Sequence, residues 1–149
     1  MKILIICKSI HHNNTKKIAD AMAEVLNADV VEPEKINPDE IKKYDLIGFG
    51  SGIYFGKHHK KLLKLVDKLP GENKKAFIFS TYGIDLSIYH KPLRNKLKNK
   101  GFKIIGEFSC KGYEDYSVFK LIGGKNKGHP NKEDIENAKK FAENIKNSI

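Results

Sequence analysis

The sequence predicts an α/β fold with a doubly wound, five-stranded parallel sheet in the order 2-1-3-4-5. The first observation is that apolar runs alternate with helix-patterned segments along the chain, which is typical of βαβ units with right-handed crossovers. The second is that these runs are continuously apolar, as in strands covered on both faces. The third is a polar or glycine-rich loop after the first, third and fourth runs, at the edge where this fold places its ligand crevice.

Each element has a local reason in the sequence. Continuous apolar residues predict strands over 1–7, 28–31, 46–50, 76–79 and 102–108. Apolar residues at i, i+3 and i+4 predict helices after Thr15, over 62–69, from about 89 or 90 to 100, and over 131–149. Pro92 is expected in a first helical turn, because there its missing N–H has no partner to lose. Segment 38–43 is at most a short helix, and 111–130 is a long loop of the kind that is usually functional.

Length and composition predict one domain that spans residues 1–149. No apolar run approaches the ~20 residues of a membrane span, and the first run is shorter than a signal-peptide core, so we expect a cytoplasmic protein. The net charge of +10 comes almost wholly from lysine. Lysine spread over helix faces usually forms a solvated surface, and no RNP, KH or zinc-finger pattern is present, so nucleic-acid binding is not favoured.

The cysteines and histidines do not have the spacing of a metal site. Cys7 and Cys110 lie in apolar, strand-like surroundings outside any CxxC motif, so we expect buried free thiols. The adjacent histidines at 11–12 and 58–59 point apart on a strand or a helix and lack a carboxylate or thiol at ligand spacing. Residues 57–61 are interpreted as a basic helix start, which opposes the helix dipole and is therefore a hypothetical docking surface for an acidic partner or the cofactor edge.

The loop after the first strand predicts an anion site. Residues 9–15 are rich in small hydrogen-bonding side chains and lead directly into a helix. The first N–H groups of that helix lack intrahelical partners, and its dipole favours negative charge. An ordinary N-cap would explain one capping residue but not a whole polar loop. The side chains expected to hold a phosphate are Ser9, Asn14 and Thr15, with help from Asn13 or His12.

The loops after the third and fourth strands bring glycines and aromatic residues to the same edge of the sheet. Glycines allow close approach of a backbone to a ligand, and tyrosines stack on planar rings. A phosphate beside a planar ring, without a metal or a catalytic triad, is typical of a flavin that carries the chemistry itself. The residues expected to hold the ring are Ser51, Gly52, Ile53, Tyr54, Thr81, Tyr82 and Gly83, with Tyr54 and Tyr82 as the stacking side chains.

Over essentially its whole length the chain resembles short-chain flavodoxins and flavodoxin-domain proteins of the archaeal and bacterial type. The resemblance lies in the loop at 9–15, in the segment YDLIGFGSGIY at 44–54, and in GHPN at 128–131 followed by Asp134. In that family the first loop wraps the FMN phosphate. Ser9, Asn14 and Thr15 match its pattern, whereas Asn13 stands where glycine is usual and the histidines at 11–12 are inserted or substituted.

The resemblance implies a flavodoxin-like three-layer sandwich that binds FMN and transfers electrons, with the flavin as redox centre and no catalytic side chain. It implies that a backbone carbonyl within 51–56 accepts a hydrogen bond from flavin N5, with Gly52 and Gly56 allowing the peptide rotation. It also implies that Gly112 and Tyr113 begin a loop over the outer edge of the ring. Because typical flavodoxins are acidic, the net charge of +10 predicts an acidic redox partner here, such as a ferredoxin or an iron–sulfur enzyme.

Other functions share parts of this pattern. An NAD(P)H-dependent FMN or quinone reductase on the same fold stays open as an alternative, although no second dinucleotide fingerprint is present. A basic nucleic-acid-binding module is a further alternative, and it predicts salt-sensitive DNA binding and a colourless protein. A receiver domain is excluded because Lys8, Ser9 and Ser51 occupy the places of its acidic residues. A tyrosine phosphatase is excluded because Cys7 is followed six positions later by Asn13 instead of arginine.

Overall fold

The computed structural model of the chain describes residues 1–10, 13–82, 88–112 and 128–149. Its sheet runs in the order β2-β1-β3-β5-β6, with all of these neighbours parallel and β4 paired antiparallel to β3. Without the short β4, this is the predicted order 2-1-3-4-5, so the predicted fold class is confirmed. The strands are β1 (Ile3–Lys8), β2 (Asp29–Val31), β3 (Leu46–Tyr54), β4 (Lys57–His58), β5 (Lys75–Tyr82) and β6 (Lys103–Lys111).

The predicted helices are present, with small differences at their ends. The helix expected over 131–149 begins one residue later because Asn131 is its N-cap, and Pro92 lies in the first turn of the third helix as predicted. Segment 38–43 forms a 3₁₀ helix with a capping box between Asn37 and Glu40. The α-helices are α1 (Asn14–Leu26), α2 (Lys60–Lys68), α3 (Lys91–Asn99) and α4 (Lys132–Asn147), and the 3₁₀ helices are Pro33–Lys35 and Pro38–Lys43. Among the helices described, none is long and apolar enough to cross a bilayer.

Both faces of the sheet are covered by helices, which explains the continuously apolar strands. On β1, Leu4 and Ile6 belong to a core cluster that also contains the apolar faces of α2 and α3. Ile3 and Ile5 point to the opposite side and pack in a second cluster with residues of α1 and α4. Because successive side chains of a strand point to opposite faces, each position of β1 requires an apolar residue.

The segment after residue 50 differs from the sequence prediction. Ser51, Gly52, Ile53 and Tyr54 were expected in a loop, but β3 continues through Tyr54. The reason is pairing on both sides, since Ser51 pairs with Lys8 of β1 and with Ser80 of β5. Thr81 and Tyr82 are likewise the last residues of β5 and not part of a loop. These residues therefore belong to the ends of β3 and β5, although their polar and glycine-rich composition predicts loops.

Residues 57–61 also differ from the prediction of a helix start. Lys57 and His58 form β4, which pairs with the end of β3, and α2 begins only at Lys60. His59 is the N-cap of α2, and its Nδ1 accepts a hydrogen bond from the backbone N–H of Lys61 at 3.0 Å. This cap provides the acceptor that a helix with no acidic residue in its first turn otherwise lacks.

Candidate functional site

The N-terminus of α1 lies at the carboxyl end of β1, where the sequence predicts phosphate binding. Its N-cap, Asn13, adopts a left-handed conformation with φ of 54° and makes no side-chain capping bond. Asn14 and Thr15 are buried at 5% and 1% exposure although both are polar. The Oγ of Ser9 accepts a hydrogen bond from the backbone N–H of Lys16 at 3.2 Å, so Ser9 holds the loop against the first helical turn.

The start of α1 differs from the starts of α2 and α4. In α4, Asn131 and Asp134 form a capping box, and in α2 the N-cap His59 accepts a backbone N–H. The first turn of α1 contains no acidic residue and its N-cap offers no side-chain acceptor. A cavity of about 290 Å³ opens beside Ser9 and Asn13 and is also lined by Lys16 and Lys35. The positive end of the α1 dipole therefore favours an anion at this place, whereas Lys16 and Lys35 are ion-paired with Asp20 and Glu32, the latter also lining the cavity.

Four of the predicted site residues converge here from three elements. The hydroxyl groups of Thr15 on α1 and Thr81 on β5 are hydrogen-bonded at 2.8 Å. Gly112 follows β6, and a Cβ at this position would lie 2.9 Å from Nδ2 of Asn14 and 3.1 Å from Cβ of Thr81. Only glycine therefore allows the chain after β6 to approach Asn14 this closely. The backbone N–H of Gly112 donates to the carbonyl of Tyr82 at 2.9 Å, which fixes this approach.

A β-hairpin forms the second wall of the cleft. Tyr54 pairs with Lys57, which leaves Phe55 and Gly56 as a two-residue turn with φ of 53° and 78°. Two successive positive φ values define a type I′ turn, the turn that matches the twist of paired strands. The half-buried Tyr54 packs edge-on against the ring of His59, with ring centroids 5.1 Å apart. Its hydroxyl oxygen lies 2.9 Å from where a Cβ on Gly52 would be, so the ring folds back over Gly52.

The remaining predicted site residues are buried or half-buried at the strand ends, or lie outside the described part of the chain. Ser51 is fully buried, and its Oγ donates to the carbonyl of Gly52 at 2.6 Å and accepts the N–H of His59 at 2.9 Å. Its hydroxyl is therefore engaged by the backbone of Gly52 and His59. Ile53 is buried and Tyr82 is half-buried at the end of β5. The residues that lie outside the described part of the chain are His12, Gly83 and Tyr113.

Phe55 is the most exposed residue near the cleft, and the sequence analysis missed it. Its side chain is 103% exposed at the tip of the hairpin. The sequence offers only part of the signal, because Gly56 suits a positive-φ position of a two-residue hairpin but Phe55 is not among the residues that such turns prefer. A second set of residues missed by the sequence analysis is Ser80, His90, Arg94 and Glu107. They come from β5, the start of α3 and β6, so no local spacing could indicate that all four meet.

Electrostatics beside the hairpin are positive. Lys8 and Lys61 contact the same carboxylate of Glu34 at 2.6 and 3.3 Å. The hydrogen bond from Lys8 lowers the pKa of Glu34, chief among several causes. Burial lowers the pKa of His59, and the nearby charges of Lys8 and Lys61 lower it further. His59 is therefore neutral at pH 7, as its role as a hydrogen-bond acceptor at the N-cap requires.

The two thiols take no part in chemistry at neutral pH. Cys7 and Cys110 are free and buried, as predicted. Burial raises the pKa of both thiols to about 12, so both stay protonated at neutral pH. Because the thiolate is the nucleophile and the metal ligand, neither residue is an activated group. Within the described ranges, no group of three or more histidine, cysteine or acidic residues is placed to hold a metal ion.

Comparison with known proteins identifies the family to which this fold and cleft belong. A flavodoxin-domain family model matches residues 4–122. An uncharacterised protein of Methanocaldococcus jannaschii is 61% identical over 147 residues, which cover 97% of this chain and 98% of that protein. Oxidised flavodoxin 2 from Bacillus cereus has a TM-score of 0.77 at 18% identity, with 100% of both chains covered. A flavodoxin from the domain Archaea has a TM-score of 0.69 at 17% identity, covering 97% of this chain and 96% of that one.

The chain therefore belongs to the flavodoxin-domain family. The solved structures share the fold at low sequence identity, and the relative from M. jannaschii shares most of the sequence. Family membership supports a flavin-binding role in electron transfer.

Proposed function

We propose that this protein binds FMN non-covalently in the cleft at the carboxyl ends of β1, β3 and β5 and passes on single electrons. The observation that carries this proposal is the convergence of Asn14, Thr15, Thr81 and Gly112 at the N-terminus of α1, where the N-cap Asn13 makes no side-chain capping bond. The cleft lies between β1 and β3, where the strand order reverses and doubly wound sheets bind ligands.

The residues at the α1 end fit the phosphate of FMN. Its first-turn N–H groups and the hydroxyl of Thr15 are donors, and the dipole of α1 adds positive potential. Ser9 acts on the loop by accepting the N–H of Lys16, and Asn13 supplies the left-handed turn that lets the chain enter the helix. A phosphate bound there would exchange water for fixed donors and would not require rearrangement of the buried Thr15–Thr81 pair.

The hairpin and the end of β5 fit the planar ring. Tyr54 lies at the end of β3 and Tyr82 at the end of the neighbouring β5, with Phe55 exposed at the hairpin tip. When bound, FMN supplies the redox chemistry, while the protein supplies binding, orientation and electrostatics. The buried, protonated thiols are not available as nucleophiles beside the flavin.

The positive charge bears on the redox partner. Lys57 and Lys60 are exposed next to the hairpin, and no salt bridge neutralises them within the described ranges. An acidic, cytoplasmic electron-transfer protein such as a ferredoxin is the partner that this surface favours. Stopped-flow mixing with NADPH distinguishes a carrier from a reductase, because a reductase would bleach its flavin rapidly without another protein.

Thr15→Val tests the phosphate end of the site. The substitution keeps the shape of the side chain and removes its hydroxyl, so FMN affinity should fall about tenfold to a hundredfold, the effect of one hydrogen bond to a charged group. Riboflavin, which lacks the phosphate, should bind equally to both proteins. Ser148→Ala removes a hydroxyl that bonds Ile145 at the far end of α4 and serves as the matched control. An unchanged ratio of FMN to riboflavin affinity in T15V would refute a phosphate contact at Thr15.

A further inference from the structure

A buried polar network lies on the α2/α3 side of the sheet, outside the residues assigned to the cofactor. It consists of His58 on β4, Ser80 on β5, His90 and Arg94 at the start of α3, and Glu107 on β6. We call this set the histidine network. His58, Ser80 and His90 are buried, while Glu107 and Arg94 lie nearer the surface.

The hydrogen bonds of the network orient His90. Arg94 donates from Nε and Nη2 to the two carboxylate oxygens of Glu107, at 2.7 and 2.8 Å. Glu107 also accepts a hydrogen bond from Nδ1 of His90 at 2.9 Å. The opposite nitrogen, Nε2, lies 2.6 Å from the hydroxyl oxygen of Ser80. Because Nδ1 is the donor, neutral His90 accepts the Ser80 hydroxyl proton at Nε2, and this nitrogen is the place where an added proton binds.

His58 packs against this arrangement with one nitrogen unpaired. Its Nε2 donates to the carbonyl of Phe79 at 2.9 Å, so Nδ1 of the neutral ring is unprotonated and carries a lone pair. That nitrogen is buried and has no hydrogen-bond partner among the residues described. The rings of His58 and His90 have centroids 4.9 Å apart. Two imidazolium ions at this distance would repel strongly in a buried site, so the pair holds at most one added proton.

The carboxylate of Glu107 determines which of the two histidines binds the added proton. The titratable and charged groups that interact with His90 in the described part of the chain are His58, Arg94 and Glu107. Burial lowers the pKa of His90, but the hydrogen bond and charge of Glu107 raise it against this effect. Burial and then the neighbouring His90 lower the pKa of His58 to about 3. His90 is therefore the proton acceptor of the pair, and His58 stays neutral.

The network reaches both walls of the cleft. His58 lies two residues after the turn at Gly56, so it belongs to the hairpin wall. Ser80 directly precedes Thr81, whose hydroxyl bonds Thr15, and it pairs with Ser51 of β3. The histidine pair is therefore joined through His58 and Ser80 to the strands that border the cleft.

The order Ser80–His90–Glu107 is also the order of a serine-hydrolase triad. Ser80 has 0% exposure beneath α3, so no ester carbonyl can reach its hydroxyl. The hydrogen bonds that would activate a nucleophile instead leave His90 with a single basic nitrogen. Proton binding, and not acyl transfer, is the chemistry that this burial allows.

We propose that His90 takes up a proton from solvent at Nε2 when a flavin in the cleft gains an electron, with Glu107 as its counter-ion and Ser80 rotating its hydroxyl away. This inference rests on the proposed flavin binding. The electron comes from the reductant, no bond to the flavin forms or breaks at His90, and the added proton balances the added negative charge. His90 is thus a positioning residue for charge, acting on the potential of the flavin and not touching the reacting atoms.

The test follows the His90 ring by NMR in the FMN-loaded protein, oxidised and then reduced with dithionite, across pH 5 to 9. We expect the pKa of His90 to be higher in the reduced protein by about one unit, a tenfold change in proton affinity. The midpoint potential of the flavin should fall with rising pH between these two values. In His90→Gln this part of the slope should vanish, whereas His129→Gln, which breaks a similar histidine–carboxylate pair with Asp134, should retain it.

The outcomes separate the two proposals. Equal His90 pKa values in the oxidised and reduced proteins, or an unchanged slope in H90Q, would overturn the proton site while leaving FMN binding intact. If H90Q does not fold, the wild-type NMR titration still decides. Glu107→Gln provides a second variant, in which the loss of the counter-ion should lower the pKa of His90 in both redox states. Failure of the wild-type protein to bind FMN would remove both proposals.

Discussion

Phe55 combines a strained backbone with complete exposure of its ring. An L-residue with a Cβ at φ of 53° costs about 1 kcal/mol relative to glycine or asparagine, and an exposed phenyl ring returns none of this energy. Such a residue at the tip of a cleft wall indicates selection for a contact made by the ring. In the proposed function, the ring at this edge is available to contact the flavin or the redox partner.

Replacing Phe55 by asparagine should therefore stabilise the apoprotein. Asn-Gly is the preferred pair for a type I′ turn, so we expect a gain of about 1 kcal/mol in the free energy of unfolding, measured with urea. Phe55→Ala removes the ring and keeps the strained backbone, and its stability should stay near that of the wild type. A loss of stability in F55N would show that the ring makes packing contacts in the free protein.

His58 should make the protein sensitive to mild acid. Its pKa is lowered to about 3 in the folded protein, against an ordinary value of 6.5, so the unfolded chain binds more protons between these values. The contribution of neutral His58 to the free energy of unfolding is fully present above pH 6.5. It is lost as the pH falls toward 3, by about 2 kcal/mol between pH 7 and 5. Urea unfolding of His58→Gln, which keeps the donor to Phe79, should show a smaller loss over this interval. An identical loss in wild type and variant would contradict the assignment.

At the scale of single residues, the sequence predicts roles that depend on neighbouring positions in the chain. Asn14 and Thr15 could be predicted because a helix start and a polar loop are contiguous in the chain. The Ser80–His90–Glu107 contacts could not, because partners 10 and 17 residues apart meet only through the register of β5 and β6 and the position of α3. Ser51 shows the converse, since its place at a strand end indicated ligand binding but its hydroxyl caps the backbone of His59.

The β3–β4 hairpin is the element that sequence patterns described least well. Glycines at 50, 52 and 56 predict a loop, but β1 supplies ladder partners through Ser51, β5 through Gly52 and β4 at Ile53 and Tyr54. Strand length in a sheet centre is thus set by adjacent strands, which no window of a single sequence contains. The segment predicted as a loop is therefore a paired hairpin in which only Phe55 and Gly56 form the turn.

The junction of α1, β5 and the chain after β6 is sensitive to one methyl group. In Gly112→Ala, the new Cβ would lie 2.9 Å from Asn14 and 3.1 Å from Thr81, so the chain after β6 must shift. We expect FMN affinity to fall at least tenfold and stability to fall by about 1–3 kcal/mol. Gly71→Ala is the control, because its Cβ has ordinary contact at 3.6 Å and lies away from the cleft. Equal FMN affinities for G112A and G71A would show that Gly112 does not shape the site.

For the whole molecule, sequence patterning was sufficient to predict the fold. Alternation of elements and continuously apolar strands determine a parallel sheet covered on both faces, and the core clusters on its two sides follow from it. The charge of +10 is a second global property, and it acts on association more than on folding. The part of this positive charge that lies beside the hairpin, on Lys57 and Lys60, is next to the proposed site.

The charge predicts a salt-dependent reaction with an acidic partner. Electron transfer from the reduced protein to a ferredoxin should slow as ionic strength rises, because the Debye length shortens from about 30 Å at 0.01 M to about 10 Å at 0.1 M. Lys60→Glu should lower the rate at low salt several-fold, measured by stopped flow. Lys103→Glu, at the opposite end of the sheet, should change it little. Equal rates for K60E and K103E would place the docking surface elsewhere.

The most direct measurement is a titration of the apoprotein with FMN, followed by quenching of flavin fluorescence, with riboflavin in parallel. We expect saturable binding of one FMN per chain, markedly weaker binding of riboflavin, and a yellow protein that releases FMN on denaturation. A protein that stays colourless and leaves the fluorescence of excess FMN unchanged would contradict it.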